Sequence, residues 1–516
     1  MTTSTRRPLG LYEKYALAMH GLGQGPTVAL TVVLPRSPLG LAPSDFLDAI
    51  AALLALEPHL SARVVGARTN DPHLSVQEAV RPDQVLITVG DRNGSSSTAL
   101  SDALDYLNRL EIDTAPLWRV WVDDREGETD TATRVTLGIH HLLADGVGSR
   151  NLFAELLTLL HPSVRKRSSQ TRAIGTGLAP TLEQTVDLRP SFRTLVGTGL
   201  AELIVPRLPA ILRPRPSRSF WPNPAAVPPR DQPTALKLVS FSSDVSARLA
   251  SESKSHGVRT LHPTLVAAAL CAIASSVVVE PDRGDAAAAA SVDLKSHTPV
   301  SLRSSSLGHP TMAGNYVVSV PHTVAAIDRS YLASTAFWSL ASTIARRITS
   351  RESRDAAKEA IGMLDYVPSG SIKPVQSGDR RPSSRSVEQR QEEQTSWETW
   401  LDQRMRGVDP WKSGSFEFSN LGRMVDRDGD ATAIADWVKL GMRDVCWAQP
   451  GSASGNGLQF NAISCGGTLT ISLSWRKGSI DPTTVDTIWA TFERVVTRVA
   501  RGQASSTVTL AELAKH

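Results

Sequence analysis

The stretch Ile139-His140-His141-Leu142-Leu143-Ala144-Asp145-Gly146 decides how this chain reads. It closes a hydrophobic, partly β-branched run from Arg134 to His141 (RVTLGIHH), the pattern of a strand. An unperturbed histidine titrates at ~6.5, so a ring where a strand ends can take up and return a proton near neutrality. Asp145, four residues after His141, can orient the imidazole, or it can pair with a distant arginine and hold the turn. Gly146 is expected to supply a backbone conformation that other residues resist, with an open N–H beside it. The same spacing also describes a plain turn followed by a helix cap, and the residues alone leave both readings open. Two histidines and one aspartate lack the spacing of an HExxH helix, so no metal site is expected.

Working outward, Leu117 to Asp124 (LWRVWVDD) is a second strand, paired as a hairpin through the EGET region. Thr27 to Leu34 (TVALTVVL) has the composition of a buried strand. The segment DFLDAIAALLAL is an amphipathic helix with Ser44 as its cap and Pro58 as its stop. Short strands are expected around Val64 and over Gln84 to Val89, a helix over Ala99 to Leu110, and another from Asp145 to about Leu160. Beyond Pro162 the composition changes: SVRKRSSQTR is basic, and Pro206 to Pro233 is dense in proline. Residues 162–234 therefore read as a crossover. A second αβ block follows, with strands near Leu236, Ala289 and Tyr316 and helices from Asp244 and over Leu265 to Val279. Later strands fall at SFEFSN, LQFNAIS and LTISLSW, before a helix from Pro482 to Val499. The polar run from Pro368 to Gln394 is expected to be a mobile insertion. The chain is thus α/β, with halves at 1–161 and 235–516.

Composition bounds the rest. With 516 residues, 41% of them hydrophobic, the chain can bury a large core, which excludes global disorder. A net charge of +4 over this length gives no reason to expect a nucleic-acid partner. Three scattered cysteines (Cys271, Cys446, Cys465) exclude a disulfide framework and suit a reducing compartment. Cys271 lies in an apolar run and Cys446 beside Trp447, and no serine sits in a GxSxG elbow, so covalent catalysis is not expected. The N-terminus lacks the apolar core of a signal peptide, and the longest apolar run is shorter than the ~20 residues of a spanning helix. A cytoplasmic location is expected. Leu195 to Leu212 is apolar with arginines at 193, 207, 213, 215 and 218, which suits peripheral contact with an internal membrane or a helix packed over the cleft.

HHLLADG (His140 to Gly146) resembles the HHxxxDG signature of the acyltransferase superfamily of condensation domains, bacterial wax ester synthases and plant HxxxD acyltransferases. Within it, six further segments in order resemble the fungal alcohol acetyltransferase family: RPLGLYEKYALAMHGLG, LLALEPHLSARVV, PLWRVWV, TPVSLR, AGNYVVSVP and FSNLG. The resemblance implies two chloramphenicol-acetyltransferase-like αβ domains with mixed sheets, joined by a long crossover and enclosing a tunnel. It implies an acyl-CoA co-substrate, acetyl-CoA foremost, and an alcohol or hydroxylated lipid-like acceptor. His141 would be the general base of a direct transfer. Asp145 would be architectural, paired with Arg303 or, second, with Arg63. His140, Asn315, Ser419 and Asn420 would support the site, and Gly422 would turn the backbone. Lys412 and Arg423 flank FSNLG, but no CoA-binding residue is assigned. The expected protein is a monomeric, metal-free O-acyltransferase. The alternatives are an N-acyl or longer-chain, wax-ester-like transferase, or a non-catalytic binding relative that kept the fold.

Overall fold

The structure, a computed structural model, describes residues 5–35, 40–69, 71–76, 80–89, 94–113, 116–125, 132–161, 177–204, 207–208, 220–221, 232–278, 291–303, 313–367, 394–406, 414–424, 432–451 and 456–515. Two mixed sheets dominate it. The first has five strands in the order Arg443–Ala448, Thr27–Pro35, Ala132–His140, Trp118–Arg125 and Leu86–Val89. All of its pairs are antiparallel except the last. Thr27–Pro35 and Ala132–His140 are buried along their whole length, which explains their β-branched, almost uncharged composition. Helices Pro43–Leu56 and Gly146–Leu160 pack together against this sheet, and Ser96–Asn108 lies between it and the strand Thr234–Phe241.

The expected hairpin forms in register, Trp118 opposite Ile139 and Arg125 opposite Ala132, while its EGET turn lies outside the described residues. Two local expectations are corrected. Pro43 opens its helix at the first turn, and the Asp45 carboxylate accepts from the Ala42 N–H, so Ser44 is not the cap. Residues Pro82–Val85 form one helical turn, because proline favours that position, and the strand begins only at Leu86. The strand expected near Ala289 starts at Val292, residue 289 itself lying outside the described residues.

The second sheet has six strands in the order Val317–Ile327, Val292–Ser301, Gly414–Arg423, Asn456–Cys465, Thr468–Arg476 and Thr234–Phe241. Alternation gives the strand Gly414–Arg423 two different faces. Phe416 and Phe418 join Phe460 and Phe492 in a core closed by the helices Leu261–Val277, Phe337–Thr349 and Pro482–Ala500. Each such ring adds about 1.5–3 kcal/mol of burial. Glu417 and Ser419 face the other way. The apolar Leu261–Val277 segment is the buried core helix its small residues suggested.

One connection crosses between the halves and could not be anticipated from their boundaries at 161 and 235. The strand Arg443–Ala448 lies at the edge of the first sheet, opposite Thr27–Pro35, although its neighbours in sequence belong to the second. Trp447 on it reaches back, its indole N–H donating to the Ala462 carbonyl at 2.9 Å while Ser472 Oγ donates to its own carbonyl at 2.6 Å. The two sheets are therefore sewn together at a buried tryptophan.

Within 162–234, Ala179 and Pro180 thread between the halves. Arg7 Nε donates to the Ala179 carbonyl and the Tyr316 hydroxyl to that of Pro180, at 2.7 and 3.0 Å. Phe192–Gly199 is helical and continues through a wider turn, Leu200–Ile204, with Phe192, Val196, Leu200 and Ile204 exposed along it. Most of Pro206 to Pro233, and Pro368 to Gln394 apart from Gln394, lie outside the described residues. Among the described residues no helix is long and apolar enough to cross a membrane.

Candidate active site

The strand Ala132–His140 delivers the motif to the junction of the two halves, and Asp145 caps the helix Gly146–Leu160 that follows. The Asp145 carboxylate is turned onto Arg303. Arg303 Nη1 reaches both carboxylate oxygens, at 2.6 and 2.5 Å, and both side chains are almost fully buried, 4% and 3% exposed. The same carboxylate accepts from the N–H groups of Gly148 and Tyr316, both at 2.8 Å. Arg303 also donates to the Gly314 carbonyl at 2.8 Å and stacks over the Tyr316 ring at 4.9 Å. Backbone bonds complete the clamp: Gly314 N–H to the Leu143 carbonyl, and Asp145 N–H to that of Gly314. A buried ion pair with this many extra donors fixes the motif loop against residues 313–316. Arg63 sits in the short strand Arg63–Val65, paired with His73–Ser75.

His141 is held from several sides. Its N–H donates to the Pro26 carbonyl at 2.8 Å, and its own carbonyl accepts from the Asn315 side-chain amide. The residue is 9% exposed, and Tyr12 meets the ring edge-on at 6.1 Å between centroids. Among the described residues no hydrogen bond engages either ring nitrogen, and Nδ1 is buried. Burial pushes the His141 pKa below the ordinary value, against the opposing pull of Asp145, Asn315 and the Ala144 carbonyl. The imidazole is therefore neutral at pH 7 and free to accept a proton.

His140 is fully buried and engaged at both nitrogens. Leu142 N–H donates to its Nδ1 at 3.1 Å, so its proton must sit on Nε2, which lies 3.2 Å from His20 Nδ1. That fixes His20 in turn, with its Nε2 proton directed at the Leu110 carbonyl at 3.1 Å. Burial first, and then the two neighbouring histidines, push the His140 pKa well down. The paired rings brace the strand end. His20 also lines a cavity of about 280 Å³ with Arg68, Asn108, Arg109, Glu398 and Arg476.

Gly146 departs from expectation. Its backbone is not in the left-handed region; a Cβ there would stand 2.8 Å from Leu421 Cδ2, so a larger residue would have to displace the end of that side chain. Gly422 does have a positive φ, 70°, and turns the end of the Gly414–Arg423 strand. The Asn420 side-chain Oδ1 accepts from the Gly422 N–H at 2.8 Å, which makes Asn420 part of that turn. Ser419, 7% exposed, lies on the face shared with Leu421, which meets Gly146. Arg150 donates to the carbonyls of Leu421 and Arg423, tying the same turn to the motif helix. Lys412 lies outside the described residues.

Sequence reasoning missed Tyr12, His20 and Glu417. Tyr12 and Tyr15 share one face of the helix Leu11–Gly21, a three-residue spacing that was visible but carried no sign of what it faced. Glu417 is half-buried on the inward face of its strand, with Gln449 Nε2 donating to it at 2.7 Å and Asn456 Nδ2 at 3.4 Å. Burial raises its pKa to about 7.

No family model matches the chain, and no curated protein does. Solved structures do. The trichothecene 15-O-acetyltransferase TRI3 from Fusarium sporotrichioides overlays 96% of this chain and 95% of its own, with TM-score 0.62 and 11% identity. The condensation domain of the monacolin K polyketide synthase MokA overlays 99% and 100%, with TM-score 0.57 and 11% identity. The nonribosomal peptide synthetase FmoA3 matches 98% of this chain at TM-score 0.59 and 16% identity, and the chain spans 44% of that protein. At such identities the likeness is one of fold: this chain has the mixed α/β fold seen in the condensation domain and in the O-acetyltransferase.

Proposed function

We propose that the protein is an acyl-CoA-dependent O-acyltransferase with His141 as its general base. The observation that carries this reading is the state of His141: a neutral imidazole, locked through its backbone by Pro26 and Asn315, with neither ring nitrogen held by a hydrogen bond among the described residues. The nearby carboxylate is spent on Arg303 and does not compete for the proton. Nε2 would take the proton of an acceptor hydroxyl as its oxygen bonds to the thioester carbonyl. The tetrahedral intermediate then collapses, the C–S bond breaks, and the same nitrogen returns the proton to the departing CoA thiolate. The Ser419 hydroxyl is the donor we assign to the developing oxyanion. Acetyl-CoA is the first co-substrate to test and an alcohol or hydroxylated metabolite the first acceptor, in keeping with the fold shared with an O-acetyltransferase.

The test is thiol release from a panel of acyl-CoAs and acceptors. Wild type should release thiol with at least one pair, and His141→Ala should lose about 10²–10⁴-fold while unfolding at the wild-type temperature. A preference for amines or long-chain donors would redirect the assignment to an N-acyl or wax-ester-like transferase. Full activity in the His141 variant would refute the mechanism.

A further inference from the structure

The wall opposite the motif is unusually polar for the interior of a sheet pair. Along the strand Gly414–Arg423 the inward positions are Ser415, Glu417, Ser419 and Leu421, while Phe416 and Phe418 point into the apolar core. Leu421 touches the motif at Gly146. Glu417 is four residues back along the strand, hence ~13 Å from that contact at ~3.3 Å per residue. Its neighbours across the sheet are His297 on one side and Gln459 on the other. Gln449 spans Glu417 and Gln459, its Nε2 lying 2.7 Å from one and 3.2 Å from the other. Tyr12, which packs on His141, and Tyr15 both feel the Glu417 charge.

Glu417 is underemployed. Among the described residues no Lys, Arg or His pairs with it, and only two amide donors reach it, one of them at 3.4 Å. A carboxylate offers about four acceptor positions. It also keeps part of its surface open, as do Tyr12, Tyr15, His297 and Gln449. A half-buried carboxylate with spare acceptor positions and no cation beside it can receive a further donor from a ligand that reaches its open side. The bland alternative is a brace, since Gln449 follows the strand that crosses into the first sheet.

Resting on the acyltransferase reading above, we propose that Glu417 selects the acceptor, receiving a hydrogen bond from a second donor on it, a hydroxyl or a protonated amine remote from the hydroxyl acylated at His141. The preferred acceptors are then diols, polyols or amino alcohols rather than simple apolar alcohols. Glu417 is a specificity residue here; it takes no part in the proton transfer.

The experiment pairs α,ω-diols and ω-amino alcohols of increasing length with monohydric alcohols of the same lengths. In wild type, kcat/KM should rise at one length for the bifunctional acceptors alone. Glu417→Gln, which keeps shape and hydrogen bonding but removes the charge, should lower that value about ten- to hundred-fold, mainly through KM. Monohydric acceptors, which offer Glu417 no second donor, should lose clearly less than bifunctional ones of the same length, with the unfolding temperature held close to that of wild type. Amino alcohols suffering more than diols would identify the ammonium as the natural partner. Equal loss for every acceptor, together with a lower unfolding temperature, would make Glu417 a brace and overturn the proposal. Thiol release with monohydric alcohols tests the His141 reading separately. If no pair reacts, calorimetric titration of the bifunctional acceptors into wild type and Glu417→Gln still decides: equal binding overturns selection by Glu417.

Discussion

Removing the Asp145 carboxylate tests the architecture of the site without touching its base. Asp145→Ala strands a guanidinium that is 4% exposed and has lost both of its carboxylate contacts. An uncompensated buried charge of this kind costs about 3–5 kcal/mol. The variant also loses the helix cap to Gly148 and orphans the Tyr316 N–H, overlapping terms that bring the total to about 4–6 kcal/mol. Arg303→Met should cost less, about 3 kcal/mol, because Asp145 keeps two backbone donors and the favourable end of a helix. The double variant, with no stranded charge, should therefore recover about 2 kcal/mol relative to the sum of the single ones. Urea unfolding at constant slope measures all three. A cost below about 1 kcal/mol for Asp145→Ala, or no coupling in the cycle, would refute the structural role. Asp145→Asn with wild-type stability and no activity would refute it from the other side and make the carboxylate catalytic.

Other expectations follow from the same geometry. Because burial lowers the His141 pKa, activity should hold at pH values below 6.5 where an exposed histidine would already be protonated, and a pH–rate profile with its acid limb at or above 6.5 would contradict this. Burial holds His59 near 3 and His262 near 4, so the unfolded chain binds more protons than the folded one below about 6.5. Stability is then full above that pH and falls as acid approaches the folded values, by about 2 kcal/mol per histidine at pH 5, measurable by urea midpoints. Gly146→Ala should cost about 1–3 kcal/mol through its clash with Leu421, and Leu421→Ala should relieve part of that cost in the double variant.

The sequence revealed what local chemistry controls. Thr27–Pro35, Trp118–Arg125 and Ala132–His140 were legible because β-branched, uncharged runs have few other homes. Arg303 was one of two candidates that spacing could not separate, since the choice depends on the register between the strand Val292–Ser301 and its neighbours. Glu417 shows the limit well. Alternation in Ser415-Phe416-Glu417-Phe418-Ser419 reveals that two faces exist, but only the packed halves show that the charged face turns inward. The His140–His20 relay spans 120 residues, a pairing that no local pattern encodes.

The strand Arg443–Ala448 also has a consequence for how the chain comes to be folded. Thr27–Pro35 finds its outer partner more than 400 residues later, so during synthesis the first sheet waits with a bare, apolar edge until most of the chain has emerged. Contacts this distant in sequence make folding slow, and an unpaired edge of this composition invites pairing with other chains. The N-terminal half is thus not an independent module to be excised and expressed alone. Truncation before residue 443 would leave it with a sticky rim, and its yield in the cell depends on the last third of the chain arriving in time.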